Sequence, residues 1–143
     1  MKITEALLAE HAVFHTLFDH VERITPRVRT VGELRSLAGL IESVMAPHSK
    51  AEDTLLIEAL DHAFAQVGHH DTFHDEHEQV EEHLRLAQQA RTVKQARQNL
   101  MAAMTKARSH FDKEERIVFP LAEKLLKART LEDLGRKWRD QRG

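Results

Sequence analysis

Apolar residues in this chain recur at steps of three, four or seven almost from end to end, and that spacing admits little besides packed amphipathic helices. A first stripe runs Ile3, Leu7, Phe14, Phe18 and Val21, with Thr4 as a plausible cap. It should stop near Ile24, because Thr25 precedes Pro26. A second stripe (Leu34, Leu37, Ile41, Val44, Leu55, Ala59) spans about residues 33–60, and Pro47 inside it is expected to kink or split the helix. Residues 61–71 read as a loop broken at Gly68, and a third helix is expected from about Thr72 with Phe73, Val80, Leu84 and Ala87 inward. Thr92 and Gln95 form a capping-box pattern ahead of a fourth stripe, Ala96, Leu100, Ala103, Ala107, Ile117, Leu121 and Leu125, with a bend at Pro120. A short last helix is expected from Leu131 to about Arg139, capped by Thr130. The fold class is therefore all-α: an antiparallel four-helix bundle over residues 1–128, with a C-terminal fifth helix in residues 129–143.

Composition removes several classes. There is no Cys, so disulfide scaffolds, thiolate metal sites and thiol nucleophiles are excluded. Basic and acidic residues number 21 and 23, which leaves no electrostatic case for binding nucleic acid or a membrane surface. No signal-like segment or long apolar run is present, so a soluble cytoplasmic protein is the expectation. One count is out of proportion: 11 histidines in 143 residues.

Counting 100° per residue, four histidines share an azimuth with the apolar stripes, one per helix: His11, His48, His77 and His110. His20 points outward. A single inward His is usually a hydrogen-bonded core residue. Four without partners would cost about 1–3 kcal/mol each, and a shared cation satisfies all of them at once. Glu52 and Glu114 each follow an inward His by four residues and stay on the inner face. The chain also repeats itself. Glu10-His11 returns 66 positions later as Glu76-His77, and His48 to Glu52 returns 62 positions later as His110 to Glu114. One helical hairpin is used twice, bringing two His and one Glu per half to a central axis, as dinuclear bundle sites do.

The ordered set H, HxxxE, H, HxxxE, with Glu10-His11, Glu76-His77 and the run His110-Phe111-Asp112-Lys113-Glu114-Glu115-Arg116-Ile117-Val118-Phe119-Pro120, resembles a hemerythrin-like (HHE cation-binding) domain over about residues 3–127. The resemblance implies two non-haem irons held by His11, His48, His77 and His110 and bridged by Glu52 and Glu114. Oxygen-carrying hemerythrins have HxxxH on the third helix, where this chain has Phe73. They have HxxxxD on the fourth, where it has HxxxE. The likeness is to the bacterial hemerythrin-like branch, whose members handle iron, oxygen, peroxide or nitric oxide.

Imidazole with carboxylate suits iron, with manganese as the second choice. Two nitrogens, two bridging oxygens and a bridging oxide or hydroxide leave one coordination place per ion. His15, one turn after His11, and Glu81, one turn after His77, are the leading candidates for it, ahead of His70 and His74. Two functions follow. One is an oxidoreductase acting on peroxide, O2 or NO, such as a catalase-like peroxide-decomposing enzyme. The other is an iron or oxygen sensor, or an iron-binding module, that acts through partner contact; the basic stretch Arg136 to Arg142 is a candidate output surface, but a charged amphipathic cap on the bundle is the favoured reading of it.

Overall fold

The computed structural model describes the backbone of residues 1–63 and 70–143, and the side chains of 1–63 and 75–143. Of the loop expected over 61–71, residues 61–63 and 70–71 are helical instead, while 64–69, Gly68 among them, and the side chains of His70, Phe73 and His74 lie outside the described residues. Among the described residues there is no strand. The described residues form an all-α bundle of four long helices and a shorter fifth.

The first helix, Ile3–Ile24, ends where expected, in a short turn, Thr25–Arg27, that contains Pro26. Its cap differs from expectation: Lys2 holds that place, while Thr4 is buried and donates its hydroxyl to Glu123. The second helix starts at Val31, where Thr30 accepts a hydrogen bond from the Glu33 amide at 3.3 Å. It passes through Pro47 without interruption to Ala51, continues as a π-helical turn, Glu52–Ile57, and closes with Glu58–Ala63. The third helix is His70–Gln89, already helical two residues before the expected start. The fourth runs Val93–Lys113, then a π-helical turn, Glu114–Val118, then Phe119–Leu125. Thr92 caps it as anticipated, but the Gln95 side chain reaches back to the amide of Arg91 rather than of Thr92. The fifth helix, Ala128–Arg142, is longer than expected at both ends and takes Lys127, not Thr130, as its cap.

The two π turns fall at the same place in the internal repeat, each beginning on the inward glutamate. Such turns add a residue to the helical ladder and rotate everything after them. This is why Ile117, expected inward, is 57% exposed and Leu121 only half-buried, while their neighbours Val118 and Ala122 are buried. In the first half Leu56, which matches Val118, is buried, but so is Leu55, which matches Ile117, and Leu60, which matches Ala122, is only half-buried. Proline is not the common cause: Pro120 follows the second turn, but Glu58 holds the matching position in the first. Val44 also departs from expectation and is exposed.

Two apolar clusters fill the bundle. One holds Phe14, Phe18, Leu34, Ile41, Leu84, Leu100 and Phe111. The other holds Ile3, Leu7, Leu56, Phe119, Leu131 and Leu134, so the fifth helix is part of the core. Each fully buried side chain of this kind contributes roughly 1.5–3 kcal/mol. Where the clusters meet along the helices lies a layer of histidines and glutamates. No helix among the described residues is long and apolar enough to cross a membrane.

Candidate metal centre

The six inward residues expected from the helical count all converge. His11, His48, His77 and His110 are at most 6% exposed, and Glu52 and Glu114 are fully buried. They form two groups able to hold a metal ion: His11, His48, Glu52 and Glu114 in one, and His77, His110, Glu52 and Glu114 in the other. Both glutamates belong to both groups. Within the first, the two Nε2 atoms are 3.2 Å apart, and within the second 2.7 Å. Glu52 sends Oε2 to His48 Nε2 at 2.7 Å and Oε1 to His77 Nε2 at 3.2 Å, so its two oxygens serve different histidine pairs. Glu114 Oε1 lies 3.4 Å from His11 Nε2 and 3.2 Å from His110 Nε2.

Among the described residues, Glu52 and Glu114 have ion-pair contacts with the imidazoles, but none of their four oxygens has an aligned hydrogen bond. Leaving buried carboxylate oxygens so is expensive. Donors placed about 2.1 Å from a common ion at right angles stand about 3 Å from one another, close to the spacings found here. The nitrogen and oxygen donors thus fit a pair of cations.

The protons reveal the same demand. Burial works against the charge on Glu52, but the surrounding imidazoles, His48 foremost, hold its carboxyl well below the usual range. Glu114 goes the other way: burial, then the negative charge of Glu52, push it well above. Burial depresses His77, yet Asp53 and Glu52 outweigh it and raise it to about 9. His11, His48 and His110 are also raised against their burial, by neighbouring carboxylates. Without a cation, the pocket keeps protons in its place.

Each ring turns its other nitrogen toward a carboxylate. His48 Nδ1 meets Glu10 at 3.1 Å and His110 Nδ1 meets Glu76 at 2.6 Å. These are matching pairs of the repeat. His77 Nδ1 meets Asp53 at 3.3 Å, and His11 Nδ1 faces Glu115 more loosely at 3.7 Å. Asp53 and Glu115 are also repeat mates, but each serves a histidine of the opposite half. Such carboxylates fix the tautomer and aim Nε2 inward. Sequence reasoning assigned no role to these four, although each directly adjoins an inward His or Glu in the repeated motifs. It also missed what braces them: Lys113 Nζ donates to Glu76 at 2.6 Å, and Glu10 accepts from Trp138 and Arg142 of the fifth helix.

Neither leading candidate for an extra ligand is brought into the two groups. His15 takes a hydrogen bond from Arg108 at 2.8 Å and is one-third exposed. Phe111, edge-on to His15 and stacked on His11 at 4.0 Å, fills the space between His15 and the centre. Glu81 is exposed. Of the basic C-terminal stretch, Arg142 turns inward to Glu10 and Arg136 pairs with Asp133. The family model of the hemerythrin HHE cation-binding domain matches residues 2–138. No curated protein and no solved structure matches the chain.

Proposed function

The chain belongs to the hemerythrin HHE cation-binding family, and from that footing we propose that it is a non-haem di-iron protein that binds or reduces a small oxygen or nitrogen species (peroxide, O2 or NO). The observation that carries the reading is that Glu52 and Glu114 are each shared by both histidine pairs. A residue that only filled or stabilised the core would have no reason to stand, as Glu52 does with its two oxygens and Glu114 with Oε1, against two separate nitrogen pairs.

In this reading His11 and His48 would hold one iron and His77 and His110 the other, with Glu52 and Glu114 available to both. Once bound, the pair supplies a redox centre able to exchange electrons with peroxide, O2 or NO. The chain's own residues do the rest. Glu10 and Glu76 keep a proton on Nδ1 of His48 and His110, so that Nε2 presents its lone pair. Phe14, Phe111 and Phe119 lie 4.0–5.3 Å, centroid to centroid, from a site imidazole and keep water from that side.

Metal analysis with an optical spectrum tests this. About two irons per chain is the expected result. A ratio near zero after iron-replete expression ends the di-iron reading, and a ratio near one removes the bridging role of the glutamates. Oxygen evolution from added peroxide then identifies turnover. Iron-loaded protein that binds these species without consuming them is a binding module instead. The inward turn of Arg142 to Glu10 counts against an output surface at the C-terminus.

A further inference from the structure

The internal repeat lets the two halves of the centre be compared residue by residue, and they differ in how they are covered. Over the His11–His48 half, Phe111 stacks on His11 at 4.0 Å and stands edge-on to His48 at 5.6 Å. Phe14 packs edge-on against His48 at 5.1 Å, and Phe18 lies parallel to Phe111 at 6.0 Å. Three stacked rings seal that half. The repeat mates of Phe14, Phe18 and Phe111 are Val80, Leu84 and Ser49. All three line a cleft of about 540 Å³ whose floor includes His77 and His110. One half carries phenyl rings where the other carries an isopropyl, an isobutyl and a hydroxymethyl group. The missing ring volume is where the cleft lies.

Resting on the di-iron reading above, we infer that exogenous ligand reaches the ion held by His77 and His110 through this cleft, and not the ion held by His11 and His48. Ser49 and Val80 are the residues that keep the way open. Among the described residues the cleft is also lined by Glu42, Glu78, Glu81 and Glu82 against one guanidinium, Arg85, which is already paired with Glu82. A wall of that charge repels anions and leaves neutral molecules unopposed. The ligand class is therefore a neutral molecule, and NO, O2 and hydrogen peroxide all qualify. An anion such as azide is disfavoured. This gives Glu81 a place at the wall of the ligand's path in place of the metal ligation considered for it.

The test is titration of iron-loaded protein with nitric oxide, read by optical and electron paramagnetic resonance spectra, with iron quantified in every sample. Ser49→Phe and Val80→Phe restore the rings that the first half has. Each is expected to keep its iron and weaken nitric oxide binding by about tenfold or more, the effect of one steric misfit in a packed site. Ser49→Ala adds no bulk and should bind as wild type does. Two filling variants are used so that the answer does not depend on the folding of either one. Wild-type protein that takes up no iron refutes the di-iron reading. Full iron with undiminished nitric oxide binding in both filling variants refutes the cleft alone.

Discussion

Trp138 Nε1 donates a hydrogen bond of 2.9 Å to Glu10 Oε1, joining the fifth helix to the carboxylate that also holds His48 Nδ1 at 3.1 Å. The last helix of the chain thus takes part in aiming a candidate metal ligand on the second. Trp138→Phe keeps most of the ring and removes only the donor. It should cost about 1 kcal/mol in a denaturant melt. It should also release iron from the His11–His48 half before the other half when metal is withdrawn in steps, since Glu76 is braced by Lys113 instead. Simultaneous release from both halves would show that Trp138 only packs.

The two central glutamates should separate once metal is removed. Glu52 is held ionised among the imidazoles, whereas Glu114 is pushed toward its neutral form. Glu52→Gln removes a charge that its buried partners need, and should destabilise the metal-free protein by about 3–5 kcal/mol. Glu114→Gln resembles the protonated side chain already favoured there and should melt close to wild type. Iron content should fall in both. Equal melting of the two metal-free variants would contradict the assignment.

Stability of the metal-free protein should decline as pH rises through the neutral range. His77 has a folded pKa of about 9 against about 6.5 when unfolded, so the native state binds the proton more tightly. That contribution is complete below about pH 6.5 and is lost as pH climbs through about 9. The raised His11, His48, His110 and Glu114 act in the same direction. Urea melts at pH 6, 7.5 and 9 measure it, and stability that rises across this series would overturn the account. Metal uptake must expel these protons, so iron affinity should rise over the same window.

The glycines offer a matched pair of tests. A Cβ on Gly135 would run into the carbonyl of Met1 and stand 3.2 Å from the Ile3 amide nitrogen, while one on Gly32 meets nothing within 4 Å. Gly135→Ala should destabilise by about 1–3 kcal/mol by lifting the fifth helix off the N-terminus. Gly32→Ala, in the first turn of the second helix, should be neutral or stabilise by up to about 1 kcal/mol. Thermal melts of both proteins decide it.

Helical counting was enough to bring His11, His48, His77, His110, Glu52 and Glu114 together, because a straight α-helix carries azimuth faithfully over a few turns. It failed beyond Glu114, where the π turn advances the phase and puts Val118 in place of Ile117; no residue type announces that turn. It also failed for His15. Four residues separate His15 from His11 just as they separate Glu52 from His48. Only the neighbouring helix decides the outcome, and there Phe111 occupies the path. The carboxylates behind the imidazoles were visible as letters in the repeated motifs. Which histidine each one serves depends on contacts across the bundle. Asp53 reaching His77 and Glu115 facing His11 join residues from different hairpins, which spacing along one helix does not encode.

That exchange of carboxylates makes each hairpin an unfinished object. The first two helices carry His11, His48 and Glu52 but lack Glu114 and the carboxylate facing His11. The third and fourth carry His77, His110 and Glu114 but lack Glu52 and Asp53. Severed between the second and third helices, the chain would become two fragments, each holding what the other needs. Iron would then act as the reagent that reunites them, turning a metal centre into an assay for fragment complementation.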